Sequence, residues 1–368
     1  MSFRYIGSNW FSHPFIPEAG LMIQQSNIRR VLMVHRSHSG KPRSCQVESR
    51  YWAKGLIQNG IDVQLVCYES ILRSRSNSGL LSKFKGYDAY RYADQCLGKV
   101  IDAYRPDLVL VFCRRILGPK TIQTIRTFAP GVPIVGRDID AWPNTSSERT
   151  YIGAECDKMI VTDAGDWMEH YSQIGVPHVA FFPVPCDPDI HRPYPRNPKL
   201  GADVLFTGKL NHSGGCDPDR LDILHRLKTF PNGKLYGTFD KNTIYGIQCY
   251  EAYSNSKIVL SINAENNISR YHSDRLTAAV SCGSLVLAKE VPQSELLFRD
   301  REHLRYFKDA DHFFELVEYY LRKEEERDSI SLAGMHHCHK EFNPARMARL
   351  LLDFVTTDTY DADWGRVL

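Results

Sequence analysis

The segment Thr207-Gly208-Lys209-Leu210-Asn211-His212-Ser213-Gly214-Gly215 is where residue types and spacing first suggest chemistry in this 368-residue chain. It follows the apolar run Val204-Leu205-Phe206 and precedes Asp217-Pro218, an N-cap with proline at the first helical position. Glycines let backbone N–H groups approach an anion, and a helix start adds positive potential. Lys209 and Arg220 supply full charges. The spacing is not that of a Walker loop, so P-loop chemistry is not supported. A plain connecting loop accounts for the segment equally well.

A second cluster runs from Ser261-Ile262-Asn263 through Arg270, His272, Asp274 and Arg275 to the helix Leu276–Cys282 and Gly283. Ala278, Ala279, Ser281 and Gly283 are small enough for a ligand or a neighbouring strand to come close. Arg275 at a helix start opposes the helix dipole unless an anion lies beside it, which points to an anion-binding arginine. A third cluster, Gly136-Arg137-Asp138-Ile139-Asp140-Ala141-Trp142, offers two carboxylates. Asp138 and Asp140 suit general-base work or hydroxyl recognition, with turn formation as the alternative. A basic loop holding Arg36, His38, Lys41 and Arg43 reads as an acceptor contact. His336, His337 and His339 do not share one helix face and lack a carboxylate partner, so they read as a solvated helix end and not a metal site.

The elements that must hold these clusters alternate. Buried strands are expected at 30–34, 61–67, 108–113, 133–136, 158–162 and 178–182, with helices at 45–59, 88–103, 119–128 and 164–174 between them. Six prolines between Pro183 and Pro198 then interrupt any helix or central strand. The same grammar restarts with strands at 203–208, 234–237, 257–263 and 284–288. Helices are expected at 218–229, 247–255 and 273–282. Phe313, Leu316, Val317, Tyr320 and Leu321 mark an amphipathic helix, and another spans 344–356. Short strands alternating with longer helices imply an α/β chain with parallel sheets. The expected organisation is an N-terminal arm (1–28), a Rossmann-like domain (29–185), a proline-rich linker (186–201), a second Rossmann-like domain (202–340) and a C-terminal helix segment (341–368). Two such domains set the carboxyl ends of their sheets across a cleft, where ligands of doubly wound sheets bind.

Composition narrows the class. Hydrophobic residues make 43% of the chain and charged residues 24%, which excludes a disordered chain. No apolar run approaches the roughly 18 residues of a membrane span. The ten cysteines form no C-x-x-C pair and read as reduced core fillers, implying a cytoplasmic setting. The net charge of +3 is uneven, about +6 over residues 1–185 and −3 over the rest. The basic first half suits either an anionic partner, nucleic acid included, or solvated loops.

Residues 130–355 resemble the CgeB-type, group-one glycosyltransferases, related to the family 4 enzymes. The likeness rests on Cys156–Thr162, Phe182–Pro188, Asp203–Gly208, Tyr236-Gly237, Tyr253–Asn263, Arg275–Gly283 and Phe307–Arg327. It implies the GT-B fold, two Rossmann-like domains facing across a cleft, with the last helix crossing back to the first domain. It implies a nucleotide-sugar donor, a UDP-sugar, as co-substrate held mainly by the second domain, with no cofactor and no metal. Gly208, Lys209, Asn211 and Arg220 would lie near the diphosphate, and Tyr236 and Gly237 near the base. Asn263, Asp274, Arg275 and Gly283 would line the donor pocket. Asp138 or Asp140 falls where the family carries an acidic motif. The expected reaction is transfer of a sugar to an acceptor hydroxyl, with retention. The acceptor is a glycan, a protein or modified DNA. One departure stands out: the family reads R-x-F-E at the helix start, its glutamate being thought to hold the donor ribose, and here Ala278 takes that place. A catalytically silent nucleotide- or glycan-binding protein is therefore the alternative. An epimerase or oxidoreductase would need a G-x-G-x-x-G turn that Gly208, Gly214 and Gly215 do not provide.

Overall fold

The computed structural model describes residues 27–36, 48–76, 89–113, 116–139, 147–210, 217–239 and 243–368. Nearly all of the expected N-terminal arm, together with His38, Lys41, Arg43, Asp140 and Asn211, lies outside the described residues.

The first half runs β1 (Arg30–His35), α1 (Ser49–Gln58), β2 (Asp62–Cys67), α2 (Tyr68–Ser76), α3 (Ala89–Tyr104) and β3 (Leu108–Phe112). It continues with α4 (Thr121–Phe128), β4 (Ile134–Arg137), α5 (Ser147–Ala154), β5 (Lys158–Val161), α6 (Asp166–Gln173) and β6 (His178–Phe181). Its strands form one parallel sheet in the order β2-β1-β3-β4-β5-β6. The second half runs β7 (Val204–Thr207), α7 (Pro218–Leu227), β8 (Gly233–Tyr236), α8 (Ile247–Ser254), β9 (Ile258–Ser261) and α9 (Asp274–Ser281). Then come β10 (Leu285–Lys289), β11 (Arg305–Phe307), α10 (Ala310–Arg322), α11 (Glu324–Glu341) and α12 (Pro344–Thr357). The second sheet, also parallel, is ordered β11-β10-β9-β7-β8. The strand order reverses between β1 and β3 in one sheet and between β7 and β9 in the other, so these switch points are the expected ligand positions.

Central strands covered on both faces need continuous apolar runs, and Val31–Val34 and Leu108–Val111 are completely buried. Three helix starts follow capping chemistry. Asp217, Asp309 and Asn343 accept from the N–H groups of Asp219, His312 and Arg346 at 2.9 to 3.0 Å. The sequence reading missed α2, α5 and β11, and of α11 it placed only the end near His336. Helix α11 hides because its buried face, Arg327, Ile330, Ser331, Gly334, Met335 and Cys338, keeps helical spacing with mostly small or polar residues. A side chain at Gly334 would collide with the His303 carbonyl. The solvated helix end expected at His336 to His339 holds for the exposed His336 and is corrected for the other two. His337 and His339 each donate from Nε2 to a backbone carbonyl, of Leu297 and of His191, both at 2.8 Å.

The two halves are tied at several points. Helix α12 packs on α1 so closely that Gly55 has no room for a side chain against Pro344. The terminal residues run antiparallel to β6, with Val179 and Leu368 exchanging two backbone hydrogen bonds. In the linker, Asp187 binds Lys54 of α1 at 2.5 Å, while Tyr194 N–H donates to Ser254 of α8 at 2.7 Å. Among the described residues no helix is long and apolar enough to cross a membrane.

A candidate active site between the two sheets

Both switch points open into one cavity of about 520 Å³. His35, Arg36, Ser49 and Pro185 line it from the first domain, His191 from the linker, and Gly208, Tyr250, Asp274, Arg275 and Ala278 from the second domain.

Arg275 is held by the sheet it faces. Its Nε donates to the Thr207 carbonyl at 2.6 Å and Nη1 to the Ile262 carbonyl at 3.1 Å, so it spans the carboxyl ends of β7 and β9. The guanidinium lies 4.7 Å from the centre of the Phe206 ring, a cation–π contact. Its remaining nitrogen, Nη2, sits beside Gly208, where a Cβ would come within 2.7 Å of it. With φ +147° as well, Gly208 tolerates no side chain without displacing the arginine. Asp274 and Ala278 stand one helical turn apart on the same face of α9 and both line the cavity. The ribose-binding glutamate of the resembled family therefore has an alanine in the wall here, with a carboxylate one turn earlier.

Other sequence candidates fall elsewhere. Arg220 is fully buried, with Nη2 donating to the Lys209 carbonyl at 2.6 Å and Nη1 to that of Ile262. It shapes the loop from behind and does not line the cavity. Lys209 is exposed and does not line the cavity. Asn263 braces the loop before α9, donating to the Tyr271 carbonyl at 3.1 Å and accepting from Ser273 N–H at 3.1 Å. Tyr236 and Gly237 close β8 beside the cavity, where the Tyr236 carbonyl accepts from Gly208 N–H at 2.9 Å. Gly283 is corrected: it follows α9 at the opposite, amino end of the sheet, against Pro193 and Met335. Asp138 is corrected too. Its carboxylate is completely buried, pairs with the Arg149 guanidinium, accepts from the Tyr171 hydroxyl at 3.1 Å, and does not line the cavity.

The first-domain wall is made by Arg36, one of the expected acceptor contacts, and by residues the sequence reading passed over, among them His35 and Ser49. Arg36 lines the mouth with Nε on Glu69 at 3.0 Å. His35, the last residue of β1, has Nδ1 within 3.1 Å of both the Arg36 carbonyl and the Ser49 hydroxyl. Burial holds its pKa below the ordinary value, so the ring is neutral near pH 7. Glu48 gathers donors on Oε1, from Arg137 at 2.6 and 3.0 Å and from Trp52 at 3.0 Å. A polar residue ending an apolar strand at a switch point is the signal that identifies His35 from sequence.

Burial makes the histidines a sensor of acid. It pushes His191 down to about 3 and His272 and His303 to about 4, all from 6.5. Between pH 6.5 and 4 the unfolded chain therefore binds protons that the folded chain does not, so stability rises with pH and is lost on acidification. Asp163, pushed up to about 7 by burial, acts in the opposite sense, one group against three. The thermal midpoint is expected to fall from pH 7 to pH 5; a midpoint that is flat or rises contradicts these buried neutral rings.

The model of a glycosyl transferase-like family matches residues 220–353. A glycosyltransferase from Rickettsia africae ESF-5 superposes with a TM-score of 0.58 at 12% identity, covering 90% of this chain and 100% of that one. HepE of Anabaena, solved in complex with UDP and glucose, gives 0.54 at 12% identity, with 89% and 100% covered. An alpha-glucosyltransferase in complex with UDP and a 13-mer DNA containing an HMU base gives 0.58 at 11% identity, with 90% and 99% covered. No curated protein sequence matches the chain. Sharing this two-domain fold over nearly its whole length, the chain has the GT-B fold, and residues 220–353 carry the sequence pattern of a glycosyl transferase-like family.

Proposed function

We propose that the second domain binds a UDP-sugar and that its sugar passes, with retention and without a metal, to an acceptor hydroxyl held by the first domain. The observation that carries this reading is Arg275. Its guanidinium is fixed by two strand-end carbonyls, with one nitrogen beside Gly208 at the switch point. There it meets the charge that builds on a departing diphosphate, and a fixed positive group at that position does the work a metal does elsewhere. Asp274 takes the ribose hydroxyls in place of the family glutamate. The bond from the anomeric carbon to the phosphate oxygen breaks, a bond to the acceptor oxygen forms, and the hydroxyl proton passes to the leaving phosphate. His35, neutral and oriented through Nδ1, lines the cavity beside the acceptor and accepts at Nε2 from a second donor of that acceptor, leaving the reacting hydroxyl's proton to the phosphate.

The acceptor we propose is anionic, and DNA carrying hydroxymethylated bases is its most specific form. The excess of basic residues in the first half and Arg36 at the cavity mouth support it. So does the DNA-bound neighbour, which has the same fold.

Thermal melting of the full chain with UDP and UDP-sugars tests the donor reading. A ligand at a hundred times its Kd adds about 2.7 kcal/mol. Stabilisation by a UDP-sugar, followed by transfer to a hydroxymethylated duplex whose binding weakens steeply with salt, is the expected result. No stabilisation by any nucleotide or nucleotide sugar would sink the proposal.

A further inference from the structure

Hydrogen-bond bookkeeping across the cleft leaves one proton over. Asp187 N–H donates to His191 Nδ1 at 2.9 Å, so Nδ1 carries the lone pair and Nε2 carries the hydrogen. His191 Nε2 lies 3.3 Å from the Tyr51 hydroxyl and therefore donates to it. Tyr51 has a single proton, and its other partner is the Tyr250 hydroxyl at 3.2 Å. Tyr51 thus donates and Tyr250 accepts. The proton of Tyr250 then has no acceptor among the described residues, although this tyrosine is only 3% exposed and lines the cavity. A buried hydroxyl in that position is incomplete until an acceptor oxygen arrives.

We propose that Tyr250 is a dedicated donor to a phosphate oxygen of the bound nucleotide diphosphate, its direction set by the chain from Asp187 through His191 and Tyr51. The inference rests on the nucleotide-sugar reading of the cavity. Three observations favour a phosphate oxygen over a hydroxyl. Tyr250 shares the second-domain wall with Gly208 and Arg275. A hydroxyl able to donate only cannot serve a ligand hydroxyl as base. An anionic oxygen makes the strongest use of a donor in a water-poor pocket. The chain also crosses the molecule: Asp187 and His191 belong to the linker, Tyr51 to α1 and Tyr250 to α8. Occupancy of the donor pocket is thereby felt by both domains through three ordered groups. Tyr51 and His191 are positioning residues, and Tyr250 is the one that touches ligand.

The test compares full-length wild type, Tyr250→Phe, Tyr51→Phe and Arg275→Ala by titration with UDP and with uridine, alongside ligand-free melting. Tyr250→Phe is expected to weaken UDP about tenfold or more, as for a lost hydrogen bond to a charged group, and to leave uridine nearly unaffected. Tyr51→Phe leaves the Tyr250 proton in place and is expected to weaken UDP by no more than about threefold, since only a neutral partner of that hydroxyl is lost. If UDP binds wild type and Arg275→Ala weakens it, but Tyr250→Phe binds like wild type, the donor assignment is overturned and the nucleotide-sugar reading stands. Equal losses for Tyr51→Phe and Tyr250→Phe also overturn it, since the pair would then be a brace between domains. Equal losses for UDP and uridine overturn the choice of phosphate. If UDP does not bind wild type, the nucleotide-sugar reading falls and takes this inference with it.

Discussion

Replacing Arg275 by alanine is expected to lower kcat/KM for the UDP-sugar by about 10²–10³, the usual effect of removing one preorganised charge stabiliser. Two of its nitrogens are fixed by the carbonyls of Thr207 and Ile262 and the third is left toward Gly208, so the group needs no reorganisation when charge develops on the diphosphate. Lysine is not an adequate substitute, because one ammonium cannot span two carbonyls and still present a planar donor to phosphate. Arg275→Lys should therefore recover only a small part of the loss. Since Arg275 also links β7 to β9, the melting temperature must be followed with the kinetics. A drop in turnover matched entirely by loss of folded protein would show that the arginine is a brace and not a diphosphate ligand.

The second large effect concerns stability. Asp138→Ala is expected to destabilise the first domain by about 3–5 kcal/mol, the range for removing one partner of a buried ion pair. The Arg149 guanidinium, only 5% exposed, would lose this carboxylate, and the Tyr171 hydroxyl would lose its acceptor. A shift of the urea midpoint to lower concentration is the measurement. If the variant keeps wild-type stability and loses turnover, Asp138 is a base after all and the buried pair is incidental. The two outcomes separate the reading of Asp138 from sequence, a cleft carboxylate, from the one its surroundings impose.

Much of the architecture was legible because it depends on local chemistry. Strands covered on both faces must be apolar throughout, as in Val31–Val34 and Leu108–Val111, and such runs alternating with amphipathic segments leave little choice but parallel α/β layers. Capping did the same for the helix start at Asp217. Elements built on small or polar contacts stayed hidden: α11 buries Ser331, Gly334 and Cys338, so no large apolar stripe announces it. Arg275 could be singled out because an arginine in the first turn of a helix conflicts with the dipole, and such a conflict needs a partner.

The sequence by itself determined the class of fold, the strand ends that could carry chemistry and the presence of an anion-seeking arginine, since each follows from residues within a turn or a strand of one another. The tertiary structure alone decided which charged groups are spent on the protein and which remain for a ligand. Arg220 and Arg275 carry the same side chain and both stack on Phe206, yet Arg220 turns inward to the Lys209 and Ile262 carbonyls while Arg275 keeps a nitrogen at the cavity. Asp138 is neutralised by Arg149, and His35, Tyr51, His191 and Tyr250, far apart in the chain, meet around one cavity. The reason is physical: desolvation and hydrogen-bond partnership are set by what surrounds a group in three dimensions, and for polar side chains those two terms outweigh residue type.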